Sequence, residues 1–266
     1  MSPVSQVRAP AVTAAVRLRK SVSRLTPDEL AAYREAVAAM QALDDNRGWQ
    51  YYAGWHGVPN EWCQHGSPVF LPWHRSYLYH FELALQEQVP DVTVPWWDWM
   101  DEAGIPGAFE GEDNPLAGSA IRPLGVQPQP DWPTETWREP GPAREPRPLP
   151  PPLISRYEWL MEPTDFLEFT RRIELLHNNM HVWTGGTMGQ VPWAAFDPIF
   201  FSHHSMVDRL WRIWQVANPG ALPPPQLLDV SLPAGKRPIF TVREVLDVQA
   251  LGYDYAGSTA VVGGTL

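Results

Sequence analysis

Apolar residues recur at three- and four-residue spacing in four stretches of the chain, and each stretch carries its own stop or start signal. Thr26-Pro27-Asp28-Glu29 opens the first: Thr26 can cap, Pro27 suits the first helical position, and Glu29 completes a capping box before LAAYREAVAAMQAL. A helix is predicted from there to about Leu43. HRSYLYHFELALQEQ (74–88) is the second amphipathic stretch. TDFLEFTRRIELLHNNMHVW (164–183), stopped by Gly185 and Gly186, is the third, and SMVDRLWRIWQVAN (205–218), halted by Pro219 and Gly220, is the fourth. Residues 101–153 break the pattern with PQPDWPTETWREPGPAREPRPLPPP, where proline forbids regular helix. Too many tryptophans accompany the prolines for a free linker, so this region is expected to wrap the helices. From 221 onward the chain reads as irregular, with short strands expected near PIFTV and VLDV. The expectation is a mainly α protein: a four-helix bundle with long irregular loops and few short strands, in a single domain of core about 25–255.

Composition narrows the partners. With 266 residues, 44% hydrophobic and 14 Trp, the chain can bury a substantial core. A formal charge of -10 argues against nucleic acid or an anionic membrane surface, which need a basic footprint, and fits a neutral or cationic small substrate. No apolar run approaches a membrane span, and MSPVSQVRAPAVTAAVRLRKSVSRL lacks the apolar core and cleavage site of a signal peptide, so a cytoplasmic protein is expected. One cysteine makes no internal disulfide, in agreement with a reducing compartment.

The histidines carry the chemistry. Six or seven of the eight, at 56, 65, 74, 80, 177, 181, 203 and 204, fall in two clusters. His177 and His181 are four apart, so they project from one helix face one turn apart, as a helix grips a single metal ion. HHSMVD, further along on another helix, can bring a third imidazole, and Asp208, four residues after His204, can accept from an imidazole and orient it. His56, His65 and His74 form a second trio without an interposed carboxylate. Nitrogen-only sites of this sort suit copper or zinc, but structural zinc usually recruits thiolates. Carboxylate-bridged di-iron competes through Glu174-x-x-His177, yet that architecture needs two such pairs and only one is present. Copper is favoured on donor chemistry.

WHGVP, CQHG, FLPWHRSYLYHFE, VPWWDW, HNNMHVWTGG and DPIFFSHHSMVDRLWRIWQ, in that order, closely resemble the tyrosinase, catechol oxidase and haemocyanin family of type-3 copper proteins. The likeness covers roughly 25–101 and 164–255. It implies a four-helix bundle holding two copper ions that bind O2 between them. By the resemblance, His56, His65 and His74 bind the first copper and His177, His181 and His204 the second, with His203 a structural neighbour and His80 no ligand. The loop between His56 and His65 is shorter than in most relatives.

What the family does sets the functional expectation. Its enzymes oxidise o-diphenols to o-quinones, and tyrosinases also hydroxylate monophenols, whose proton must first leave. Glu174 and Asn178 match the family's glutamate and asparagine that hold and polarise a water for that purpose. An ion pair of Glu174 with Arg171 or Arg172, and an ordinary helix position for Asn178, are the plain alternatives. Val191 aligns where relatives carry a residue that covers the copper, a phenylalanine in several plant catechol oxidases. A valine there implies an open entrance, and Val182 is a second small candidate for the pocket wall. VREVLDVQALGYDYA resembles the segment that closes the catalytic domain. Only 11 residues follow Tyr255, too few for the lid domain of plant and fungal relatives, so an uncovered site is expected. The expected activity is tyrosinase-like, with O2 as co-substrate and a small phenol as substrate. A catechol oxidase or o-aminophenol oxidase without monophenolase activity and a haemocyanin-like O2 carrier are the alternatives, and the need for a copper-delivery protein stays open. Cys63, two residues before His65, resembles the cysteine of fungal tyrosinases and molluscan haemocyanins that forms a thioether to the histidine ring. It is expected to brace His65 rather than to bind copper.

Overall fold

A computed structural model of the chain describes residues 16–102, 104–140 and 153–257. Its helices are α1 (Pro27–Gln41), α2 (Trp49–His56), α3 (Phe70–Gln88), α4 (Leu153–Met161), α5 (Phe166–Thr184), α6 (Val191–Ala194) and α7 (Ile199–Ala217). All four predicted helices are present. α1 starts as read: the Thr26 hydroxyl accepts from Glu29 N–H at 3.2 Å, and Glu29 Oε2 accepts from Thr26 N–H at 2.9 Å. α5 ends at Gly185, whose φ of +65 is left-handed.

Three helices escaped the pattern, α2, α4 and the four-residue α6, and two begin earlier than it predicts. α2 is WQYYAGWH, and all of it but Tyr51 is buried, so it shows no polar face for a periodicity to detect. α4 begins where the proline-rich region ends, in a stretch for which no element was predicted. α3 begins at Phe70 and α7 at Ile199 because FLPW and IFFS are buried on every side. Pro72 sits in the first turn of α3, where its missing N–H costs nothing. The strands were also misplaced. The pair that forms is parallel, β1 (Arg17–Arg19) with β2 (Tyr253–Tyr255), while PIFTV contributes only the bridge Ser231–Thr241. VLDV enters a 3-10 turn over Arg243–Val245, and burial of Val242, Val245 and Val248 follows its three-residue period.

α3 packs on α1, α5 and α7 in a core rich in indoles, with Trp49, Trp55, Trp73, Trp97, Trp211 and Trp214 fully buried. The described part of the proline-rich region wraps this bundle. Gln41 Nε2 donates to the Pro115 carbonyl at 3.0 Å, and Trp132 packs on Trp193 at 5.1 Å. Arg138 donates to Asp197 (Nε to Oδ2, 2.9 Å) and to the carbonyls of Phe109 and Leu116. Asp197 Oδ1 in turn accepts from Ile199 N–H at 3.1 Å, so the wrap pins the start of α7. Residues 141–152 of this region, and 258–266 beyond the Tyr-x-Tyr, lie outside the described residues. No helix among the described residues is long and apolar enough to cross a membrane.

Asp208 corrects one expectation. Its carboxylate reaches no imidazole; it is the centre of a buried ionic knot. Arg75 Nε of α3 donates to Oδ1 at 2.6 Å, while the Tyr253 and Tyr255 hydroxyls donate to Oδ2 at 2.7 and 2.6 Å. Arg19 Nη1 of β1 adds a bond at 3.3 Å, and its Nε donates to Glu82 of α3 at 2.8 Å. Arg75 also lies 3.5 Å over the Trp211 ring. Burial alone would raise the Asp208 carboxyl, but Arg75, Arg19 and the two hydroxyls hold it below the ordinary aspartate range. Asp208→Ala would leave the buried Arg75 guanidinium without a carboxylate and Arg19 with Glu82 alone, so urea unfolding of the variant should show a loss of about 3–5 kcal/mol. A loss below about 1 kcal/mol would mean that the knot is not structural.

Candidate metal centre

Four helices deliver imidazoles to one place. His56 ends α2, His74 lies in the second turn of α3, His177 and His181 share a face of α5, and His203 and His204 lie in α7. His65 comes from the loop before α3. Ring centroids of His56, His65 and His74 are 5.1, 5.4 and 5.7 Å apart. Those of His177, His181 and His204 are 4.4, 4.7 and 5.6 Å apart. The two trios adjoin, with His74 stacked on His204 at 4.4 Å and His65 at 5.6 Å from His177.

Local backbone sets which ring nitrogen faces inward. His74 Nδ1 lies 2.8 Å from the Phe70 carbonyl, one turn back on α3. His181 Nδ1 lies 2.7 Å from the Met188 carbonyl, and His177 Nδ1 lies 3.0 Å from Asn178 Oδ1. Each acceptor demands a proton on Nδ1 and leaves Nε2 with a lone pair. The Met188 contact depends on two glycines. A Cβ on Gly185 would stand 2.2 Å from the Glu139 carbonyl oxygen, and one on Gly186 2.2 Å from that of Trp137. Only glycine lets the wrap press on this turn, and the turn brings Met188 back to His181.

Those lone pairs converge. His181 Nε2 is 2.9 Å from His177 Nε2, which is 3.1 Å from His204 Nε2. With Nδ1–H already committed, His177 and His181 point lone pair at lone pair, an arrangement that a cation relieves. A proton is the wrong cation here, because burial, the largest cause, pushes His177 and His204 well below the usual imidazole range and His181 down to about 4. In the other trio both nitrogens of His56, and Nε2 of His65 and of His74, are buried without a hydrogen-bond partner. Buried polar atoms are rarely left so. Donor atoms of His56, His74 and His204, of His177, His181, His203 and His204, and of His56, Cys63 and His65 each fall within 4.8 Å of one another. Neutral, inward-facing imidazoles with one thiol nearby fit two borderline metal ions.

The surroundings form a cavity of about 300 Å³, reached by His56, His65, His177 and His181 and walled by Met188, Ala194 and the backbone of Gly189. Val182 and Val191 stand at it with exposures of 74% and 48%, and Asn178 lies beside them. A larger groove of about 430 Å³, near Arg17, Lys20 and Tyr33, holds no histidine, so volume does not locate the chemistry.

Glu174 is buried, and burial raises its carboxyl, while Oε1 accepts the Gly66 N–H at 2.6 Å. Its alternative partners are engaged elsewhere: Arg171 and Arg172 both bind Glu168. Asn178 is bonded to His177. Cys63 is a free, half-buried thiol that burial pushes up to about 11. His80 packs apart, edge-on to Trp55 at 5.5 Å. His203 comes closer than the sequence suggests: its ring stacks on His177 at 5.0 Å and meets His181 edge-on at 4.7 Å, and neither of its nitrogens has a hydrogen-bond partner. The sequence reading missed Phe200, which covers His56 at 4.7 Å and His204 at 4.2 Å, and the Met188–Ala194 wall. Phe200 lies four residues before His204, and that helical spacing was the available signal.

Residues 46–217 match the common central domain of tyrosinase. Among proteins of known sequence, the chain is 31% identical to hemocyanin units G and H of Sepia officinalis over 74% of its own length. It spans only 37% of that relative. Among solved structures, a functional unit from octopus hemocyanin superposes with a TM-score of 0.77 at 29% identity, over 91% of this chain and 69% of that one. Tyrosinase from Burkholderia thailandensis shares the fold with a TM-score of 0.76 at 23% identity, over 91% and 74%.

Burial makes the metal-free protein sensitive to acid. His65 and His181 are held down to about 4, against 6.5 for a free imidazole, so below pH 6.5 the unfolded chain binds more protons than the folded one. Their contribution to stability is complete above that pH and lost as pH falls toward 4. The urea midpoint of metal-free protein should therefore drop steadily from pH 7 to pH 4.5, and a flat midpoint would contradict it.

Proposed function

We propose that this chain, which belongs to the tyrosinase family of dicopper proteins, is a phenol oxidase that uses O2 to hydroxylate monophenols and to oxidise o-diphenols to o-quinones. The observation that carries this reading is the cavity: imidazoles of both trios reach a space of about 300 Å³ whose edge is formed by two small, exposed valines. A phenol ring can approach the histidines there. His56, His65 and His74 would hold one copper and His177, His181 and His204 the other. When bound, the two coppers would supply O2 binding and the two-electron oxidation of the phenol. One diphenol and half an O2 then give one quinone and one water; one monophenol and one O2 also give one quinone and one water.

The side chains around the site have separate tasks. The Phe70 and Met188 carbonyls and Asn178 Oδ1 keep Nδ1 protonated, so Nε2 stays available at neutral pH. Val182, Met188, Val191 and Ala194 give an apolar contact for the ring. Glu174 takes the proton that a monophenol must lose; its raised carboxyl brings it nearer the operating pH as a base. Cys63 forms a thioether to His65 on copper loading, losing its thiol hydrogen and a ring hydrogen to the oxidant.

The hemocyanin relatives favour a second reading, an O2 carrier from which phenols are kept away. Val182 and Val191 form no such barrier. Glu174→Gln should lower monophenol oxidation about 100-fold or more while diphenol oxidation changes by no more than about threefold. Equal losses would remove the proton-acceptor role, and reversible oxygenation of the wild type without quinone would establish the carrier. Intact mass should fall by two hydrogens on copper loading, and Cys63 still open to alkylation afterwards would refute the thioether.

A further inference from the structure

His65 is the one member of the two trios carried by a loop rather than a helix. Trp62, just before that loop, is tied to the bundle by its N–H, which donates to the Trp55 carbonyl at 2.9 Å, and α3 begins at Phe70. Within 63–69 the hydrogen bonds are otherwise local. Gln64 Nε2 donates to the Trp62 carbonyl, Val69 N–H to Ser67 Oγ, and Phe70 N–H to the Ser67 carbonyl. Among the described residues a single hydrogen bond crosses from this loop to an element other than the adjoining α3, the 2.6 Å donation from Gly66 N–H to Glu174 Oε1 on α5.

No other hydrogen bond among the described residues does the same, although Cys63 and Val69 at the loop's two ends pack on the core. Gly66 is exposed at φ +62, and there is no atom within 4 Å of where its Cβ would stand, so packing does not hold it. The His65 ring makes no hydrogen bond of its own, unlike His74, His177 and His181, and its neighbours are Phe70 and other imidazoles. A thioether from Cys63 to His65 would join two residues of the same loop. It would limit rotation of the ring without fixing the loop to the bundle.

We infer that Glu174 is the positioning residue of His65: its buried carboxylate, by accepting the Gly66 N–H, fixes the loop against α5 and sets where that imidazole sits relative to the other five. A carboxylate suits the task, because a hydrogen bond to a charged acceptor is shorter and stronger than one between neutral groups. The bond itself does not depend on the functional reading; only its copper readout rests on the histidines being metal ligands.

Amide hydrogen exchange on metal-free protein tests the bond directly. Gly66 should be the slowest amide of residues 64–67 in the wild type. Glu174→Gln, whose amide oxygen still accepts, should keep that protection, and Glu174→Ala should lose it by about tenfold or more. Copper binding should follow the same order: two ions per chain retained against a chelator by wild type and by Glu174→Gln, and one by Glu174→Ala. Unchanged Gly66 exchange and two retained coppers in Glu174→Ala would overturn the inference. If Glu174→Ala does not fold, the wild type decides, since a Gly66 amide exchanging as fast as those of Gln64 and His65 overturns it equally. Protection that follows this order in a protein that turns over no phenol would leave the inference standing and the phenol-oxidase reading refuted.

Discussion

The fold hangs on a carboxylate placed where water cannot reach it. Burying Asp208 with Arg75 and Arg19 costs several kcal/mol of desolvation per ion, which only close geometry and further hydrogen bonds offset. The chain supplies both: two tyrosine hydroxyls, a second carboxylate at Glu82, the Val245 and Leu246 carbonyls, and rings under each guanidinium. Arg75 follows His74, and Asp208 lies one turn beyond His204. The ion pair therefore fixes the register of α3 against α7, and with it the stacking of one imidazole from each trio on the other. Arg19, Tyr253 and Tyr255 fall outside the segment that matches the tyrosinase central domain, so strands from the flanks complete a clamp that the central helices alone leave unfinished.

Around this clamp the imidazoles are oriented by neighbours in sequence. Phe70 is one turn before His74, Asn178 adjoins His177, and Met188 returns to His181 through the turn at Gly185–Gly186. Short-range bonds choose the tautomer and long-range ions choose the spacing. Neither task needs a metal to be present, so the donor set is shaped by the protein before anything binds.

Much of this was legible in the residues. The capping box at Thr26, the paired glycines after α5 and the four-residue spacing of His177 and His181 each predicted what formed, because a local rule dictates them. α2 was invisible for the opposite reason: a helix buried on every side has no stripe. The strand reading failed at VLDV because buried valines at three-residue spacing satisfy a 3-10 turn as well as their β-branching suits a strand. Asp208 was assigned to an imidazole on spacing alone, whereas its partners come from positions as distant as 19 and 255. Sequence spacing predicts contacts along one helix and says little about which side of it faces a neighbour. Convergence of the two trios rested on family resemblance, since nothing local links residue 65 to residue 177.

The wrap over 101–140 looks like the sort of surface segment in which insertions and deletions accumulate freely. Over Trp137–Glu139 it is not. The Trp137 carbonyl accepts from Thr187 N–H at 2.9 Å, and Glu139 N–H donates to the Thr184 carbonyl at 3.0 Å, across the same turn that carries Met188 to His181. A change of length there would displace a histidine that lies in another part of the chain. Among homologues, drift in loop length should stop short of this tripeptide, giving the proline-rich region an anchor point by which its sequence can be aligned.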